Sequence, residues 1–146
     1  MTKKVSGMLT RSAADINRLA RAMPERAHLE LGALASAVPT ARIWARVILS
    51  GWNLSRLAYD GGLILSELVT NSVQHASGPK VSIWLGSDRE RLVIMVGDQC
   101  PDMPVRAETS GHDGPSGRGL VIVDALADHW GAYRVPTGKI TWAMLA

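Results

Sequence analysis

The chain has 146 residues, of which 47% are hydrophobic and 20% are charged. This length is typical of one domain, and this composition allows a packed core and excludes global disorder. The formal net charge is +3, and the arginines are spread along the chain with a bias to its first half. Because a nucleic-acid-binding face usually has clustered basic residues, this charge favours a solvated surface or attraction to an acidic protein.

Three features of the sequence favour a cytoplasmic location. No apolar run approaches the roughly 18 uncharged residues that a membrane span needs. Lys3 and Lys4 are not followed by an apolar segment, which argues against a secretory signal. Cys100 is the single cysteine, so no internal disulfide can form.

The first residues are predicted to form an N-terminal extension. Ile16, Leu19 and Met23 follow helical spacing, which predicts a helix over about residues 13–23. We assign residues 1–26 to this extension, partly helical or mobile, and residues 27–146 to one domain. Three arrangements of the extension stay open: packing on the domain, pairing with a second subunit, or no fixed position.

The first half of the domain is predicted to contain one strand and two helices. Residues 28–33 alternate between apolar and polar side chains, as a strand does. Ser36 or Thr40 is predicted to cap a helix that ends near the next Trp-Asn pair. Ser55 is predicted to cap a longer helix, which ends before a Gly-Pro pair.

The second half is predicted to contain two hairpins separated by a helix. Polar residues link two strand-like runs, 80–86 and 91–97, into the first hairpin. A helix is predicted over about residues 119–128. Two further strands, 130–135 and 139–145, form the second hairpin around a Pro-Thr-Gly turn.

The order of these elements predicts the fold class. Helices do not alternate regularly with strands, which argues against a doubly wound parallel sheet. The order predicts an α+β two-layer sandwich, in which helices cover one face of a mostly antiparallel mixed sheet.

A polar stripe on the longer helix is the first candidate for a functional site. Glu67, Asn71 and His75 are four residues apart and share one face of the helix. Polar groups in an apolar helix are costly to bury without partners, so a cation or a polar ligand is expected there. Glu67 can orient or deprotonate a hydroxyl, and the Asn71 amide oxygen is a hard ligand that suits Mg²⁺. His75 contacts phosphate or a lid, or else it stabilises the helix end.

The end of the strand at Asp98 is the second candidate. A carboxylate there can accept a hydrogen bond from the exocyclic amine of adenine, which guanine does not offer at that position. Residues 101–116 are rich in Gly, Pro, Ser and Asp, and a loop of this length is usually functional. We predict that this loop is a lid over a triphosphate.

The third candidate is the glycine-rich segment that leads into an apolar helix. Gly117 and Gly119 expose backbone N–H groups where a helix N-terminus favours phosphate, and Arg118 can add a charged contact. The segment is neither a P-loop nor a dinucleotide fingerprint.

Taken in order, these three blocks resemble the N, G1 and G2 boxes of the histidine-kinase-like ATPase superfamily, which has the Bergerat fold. Within it, the chain resembles the small stand-alone bacterial anti-sigma-factor serine/threonine kinases. The resemblance extends from about His28 to the C-terminus and implies the same two-layer architecture. It departs from the family at Cys100, where a glycine is usual.

The resemblance implies a role for each candidate residue. Glu67 would be the catalytic general base, and Asn71 would hold Mg²⁺. The remaining residues would bind ATP: His75, Asp98, Gly117, Arg118, Gly119, Leu120 and Thr141. Thr141 would lie beneath the adenine, although Ile140 is an alternative for that position.

The function that the resemblance implies is regulation of transcription by phosphorylation. ATP and Mg²⁺ would be the cofactors, and a serine on a small antagonist protein would be the substrate. A sigma factor would be the second partner, and a homodimer is left open. Two other functions are compatible with parts of the sequence: a non-catalytic protein-binding module gated by ATP, and a basic nucleic-acid-binding regulator, which the lack of a basic recognition helix disfavours.

Overall fold

The computed structural model describes residues 13–75, 78–100 and 115–146. Within these residues, four α-helices and five strands follow one another. A 3₁₀ turn, Ser55–Leu57, leads directly into the third helix. The elements are α1 (Ala13–Ala22), β1 (Glu25–Gly32), α2 (Ala37–Gly51), α3 (Ala58–Gln74), β2 (Lys80–Ser87), β3 (Leu92–Asp98), α4 (Pro115–Leu126), β4 (His129–Val135) and β5 (Gly138–Leu145).

The five strands form one sheet in the order β1-β2-β3-β5-β4. Every neighbouring pair is antiparallel. Strand β3 is central, and six of its seven residues are buried because both faces of the sheet are covered. The predicted α+β sandwich is confirmed.

Helices α2, α3 and α4 cover the inner face of the sheet and form the main core. Small residues of α2 at four-residue spacing, Ala37, Ala41 and Ala45, turn towards this core together with Leu49. This spacing places all four side chains on one face of the helix, where small side chains allow close packing. Helix α3 contacts α2, α4 and β3, so it lies at the centre of the helical layer.

Helix α1 covers the outer face of the sheet. Its Ile16 is fully buried, and Met23, which directly follows the helix, is 3% exposed. Both belong to a second apolar cluster with Val93, Met95, Trp142 and Met144 of β3 and β5. For residues 13–26, the part of the extension that the structure describes, the structure shows packing on the domain. Strand β1 begins at Glu25, and the division at residues 26 and 27 stays a prediction.

Several predicted boundaries differ from the structure. Ser36 occupies the N-cap position of α2 but makes no side-chain cap hydrogen bond, because its backbone is helical. Ser55 does not cap α3; it begins the 3₁₀ turn, and Leu57 is the N-cap residue. Helix α4 begins at Pro115, four residues before the predicted start, since proline is well suited to the first helical position.

The turn between β2 and β3 is organised by one carboxylate. Asp88 accepts hydrogen bonds from the backbone amides of Arg91 at 2.8 Å and Glu90 at 3.1 Å. It also pairs with the Arg91 guanidinium at 2.7 Å. The bond from the Arg91 amide is the main cause that lowers the pKa of Asp88 to about 2. This turn confirms the predicted hairpin.

No described helix has both the length and the apolar character that a bilayer-spanning helix requires.

Gly138 allows β5 to begin close to the end of β3. A Cβ atom built on Gly138 would overlap the carbonyl oxygen of Asp98, which is a backbone atom that cannot rotate away. By contrast, a Cβ atom on Gly51 at the end of α2 would meet no heavy atom within 4 Å.

We expect Gly138→Ala to lower the free energy of unfolding by about 1–3 kcal/mol, because the added methyl group forces the strand ends apart. Urea unfolding followed by circular dichroism measures this change. Gly51→Ala is the matched control and should leave stability unchanged or raise it by about 0.5–1 kcal/mol through helix propensity. Equal stabilities of the two variants would contradict the steric role of Gly138.

Candidate functional site

The polar stripe of α3 lies at the boundary between its buried and exposed faces. Glu67 is half-buried, Asn71 is buried with 7% exposure, and His75 is exposed. The helix packs against α4 and against β3, the strand that ends at Asp98. The predicted helix is confirmed for Glu67 and Asn71, and His75 directly follows its last residue. The shared face and the chemical roles of the three residues stay predictions.

Asn71 is the residue of the stripe whose side-chain oxygen lacks a hydrogen-bond partner among the described residues. Its Oδ1 atom is buried and has no hydrogen-bond partner within the described part of the chain. A buried acceptor without a partner costs about 1–3 kcal/mol, so such atoms need an explanation. A cation is one partner that would meet this requirement.

His75 is the C-cap residue of α3. Its backbone amide donates to the carbonyl oxygen of Asn71 at 3.2 Å, which ends the helix. Its side chain is exposed, so both alternatives for it, contact with phosphate or stabilisation of the helix end, stay open.

Asp98 ends β3 and is held in a buried ion pair. The Nζ atom of Lys139 lies 3.0 Å from both carboxylate oxygens of Asp98. The Asp98 side chain is 0% exposed and that of Lys139 is 2% exposed. The backbone amide of Cys100 donates to Asp98 Oδ1 at 2.9 Å. The residue that replaces the usual glycine therefore fixes the carboxylate through its backbone.

Lys139 is the residue near Asp98 that sequence reasoning missed. In the register of β3 and β5, Asp98 pairs with Lys139, while Thr141 pairs with Val96. Thr141 is buried and lies two residues further along the strand, on the same face as Lys139. Ile140 points to the other face of the sheet and packs against the second cluster, whereas Thr141 shares the face of Asp98, which favours Thr141. Strand alternation could have placed Lys139 on this face, but its pairing with Asp98 depends on the register.

The glycine-rich segment lies inside α4 and not before it. Gly117, Arg118 and Gly119 belong to its first turns, because the helix begins at Pro115. The free amides at this end are those of residues 116–118, since the first helical residue is proline. Leu120 is 2% exposed and packs in the main core, and its predicted contact with ATP stays a prediction.

The predicted lid, residues 101–116, lies outside the described residues except for its last two positions, which belong to α4.

A cavity of about 410 Å³ lies elsewhere, between α1 and the outer face of the sheet. Arg21, Arg26 and Trp84 are among its lining residues, and none of the predicted ATP ligands is. The His28 and Trp84 rings are stacked at its wall, with centroids 4.9 Å apart.

Comparison with known proteins agrees with this arrangement. The family described as the Histidine kinase-like ATPase domain matches residues 31–145. One similar solved structure contains the RsbU and RsbW domains of Rv1364c from Mycobacterium tuberculosis, with a TM-score of 0.56 and 19% sequence identity. The match covers 83% of this chain and 32% of that one, so this chain spans about a third of its length. No curated protein matches. The match over most of its residues shows that the chain belongs to the histidine kinase-like ATPase domain family.

Proposed function

We propose that the chain is an ATP- and Mg²⁺-binding serine/threonine protein kinase of the anti-sigma-factor type. The observation that carries this proposal is the buried, unpartnered Oδ1 atom of Asn71, on the helix of a histidine kinase-like ATPase domain. A buried acceptor without a partner destabilises a fold that binds no ligand, whereas in a cation-binding site the same atom can act as a ligand.

The donor set near Asn71 suits Mg²⁺. In proteins Mg²⁺ prefers oxygen ligands, keeps several waters, and often takes the rest from substrate phosphates. The described residues contain no group of three or more His, Cys, Asp and Glu side chains arranged for a metal. Mg²⁺ would therefore be held by Asn71 together with triphosphate oxygens, and when bound it would neutralise phosphate charge.

Glu67 is the residue proposed to act on the nucleophile. It lies one turn before Asn71, and its half-buried position keeps its side chain partly ordered while leaving it accessible to a second protein. In phosphoryl transfer, a carboxylate in this position accepts the hydroxyl proton of the attacking serine. Asp98 is proposed to bind the adenine amine, with Thr141 behind the base. The free amides of α4, with Arg118, are proposed to contact phosphate.

The proposed substrate and partners are inferred from the resemblance of the three sequence boxes to those of anti-sigma-factor kinases. On that basis we propose a serine on a small antagonist protein as the phosphate acceptor and a sigma factor as the regulated partner. Control of transcription would follow from the competition between these two proteins for the chain.

We expect the wild-type chain to bind Mg-ATP more tightly than Mg-GTP by about tenfold or more, because a hydrogen bond to a charged group contributes roughly 1.5–3 kcal/mol. Isothermal titration with each nucleotide measures the two dissociation constants. Equal affinities would contradict the assignment of Asp98 to the base.

We expect Asn71→Ala to abolish Mg²⁺-dependent nucleotide binding. The variant should remain folded, because the lost amide oxygen has no partner among the described residues. Thermal shifts with and without Mg-ATP measure both properties. Gln74→Ala, an exposed change one turn away on the same helix, is the control and should show the full shift. An equally large shift for Asn71→Ala would make this residue structural.

We expect Glu67→Gln to bind ATP almost normally and to lose phosphate transfer by about 10²–10⁴-fold, the usual contribution of a general base. Transfer from labelled ATP to antagonists encoded beside the gene should be compared between wild type and variant. Equal rates would show that Glu67 is not the base. A wild-type chain that binds ATP but transfers phosphate to none of these antagonists would instead support the ATP-gated binding module.

A further inference from the structure

The ion pair at the end of β3 leaves little acceptor capacity on Asp98. An ionised carboxylate has about four lone-pair sites. Three of them are used: Lys139 Nζ donates to both oxygens, and the Cys100 amide donates to Oδ1. Among the described residues, one site therefore remains, and it is on Oδ2.

Lys139 has hydrogen-bond donors to complement this open acceptor site. Its ammonium group carries three hydrogens, and Nζ lies 3.0 Å from both oxygens of Asp98. Its remaining contact is with the carbonyl oxygen of Cys100, at a donor–acceptor distance of 3.5 Å, which is the longest contact of the group. The hydrogen bond to Cys100 is therefore the one that a ligand would replace most easily. One open acceptor and one available donor thus lie side by side, with Oδ2 and Nζ 3.0 Å apart.

This combination of one acceptor and one donor matches the hydrogen-bonding groups on one edge of adenine. Adenine presents an N–H donor on N6 next to an acceptor on N1, so it needs one acceptor and one donor. Guanine presents donors on both N1 and N2 next to its O6 acceptor. Because Oδ2 has one open site, a guanine bound there would leave a donor without a partner, and unpaired polar groups at a buried site cause strong discrimination.

We propose that Lys139 is a second base-reading residue, which donates to N1 of adenine while Asp98 Oδ2 accepts from the N6 amine. This inference rests on the proposed function, in which ATP binds at Asp98. Both side chains are closed to solvent, so the base reaches them only after the covering atoms move aside. Once in place, the two hydrogen bonds lie in a dry site, where they are stronger than in water.

The test uses ATP analogues that lack single ring acceptors. We expect the wild-type chain to bind 1-deaza-ATP, which lacks N1, about tenfold or more weakly than ATP, since the lost bond has a charged donor. It should bind 7-deaza-ATP, altered away from the proposed edge, as tightly as ATP. In Lys139→Met the difference between ATP and 1-deaza-ATP should shrink to about twofold or less, as expected for a lost pairwise contact.

Two further variants make the result specific. Lys80→Met removes an exposed lysine that pairs with Glu30, and it should keep the wild-type preference for ATP over 1-deaza-ATP. Lys139→Met leaves a buried carboxylate unpaired, which can prevent folding. Lys139→Arg keeps a cation beside Asp98 but places its donors differently, so it should fold and show a smaller preference for ATP over 1-deaza-ATP than the wild-type chain.

The outcomes separate this inference from the proposed function. Tight ATP binding with equal affinity for 1-deaza-ATP would overturn the role of Lys139 and leave the ATP site standing. A folded Lys139→Met variant that keeps the tenfold difference would also overturn it. A wild-type chain that binds neither nucleotide would instead overturn the proposed function itself.

Discussion

The buried ion pair between Asp98 and Lys139 connects the end of the central strand β3 to the start of its neighbour β5. Two charges that are closed to solvent pay a large desolvation penalty, which their attraction repays only when the geometry is good. Here Nζ is equidistant from both carboxylate oxygens, and Cys100 adds a backbone hydrogen bond. A buried pair of this kind is weak evidence for stability, since apolar residues of similar volume often do as well. Stability alone therefore does not account for the pair, which agrees with the ligand-binding role proposed for Asp98 and Lys139.

The two apolar layers on either side of the sheet keep this pair in place. Strand β3 is central and packs against helices α2 to α4 on one face and against α1 on the other. A strand covered on both faces has little freedom to shift, because close-packed side chains resist small displacements. Gly138 adds a local constraint, as it allows the first residue of β5 to approach the Asp98 carbonyl oxygen. The Asp98–Lys139 pair thus lies on two paired strands of the sheet, β3 and β5.

Helix α3 shows a compromise between stability and function. Four of its nine buried residues, Ile64, Leu65, Leu68 and Val69, belong to the main core. Asn71 interrupts this pattern with an acceptor that lacks a partner among the described residues, and the fold alone gains nothing from it. Natural proteins often accept such local costs at binding sites. The position of Asn71 one turn after a half-buried Glu67 concentrates the unusual features of the helix on one stripe.

The sequence by itself determined the fold class and the order of the elements, and it predicted the residues of the candidate site. Alternation, helical spacing and turn residues are local signals, and they located the five strands, the helices and the stripe of Glu67, Asn71 and His75. The tertiary structure decided the position of α1 on the outer face and the pairing of Asp98 with Lys139. The first was undetermined because an amphipathic helix can bury its apolar face against any apolar surface. The second depends on the register of β3 and β5, two strands that are separated by about 40 residues in the chain. Core packing sets this register, because a shift of one residue would turn every side chain of a strand to the opposite face.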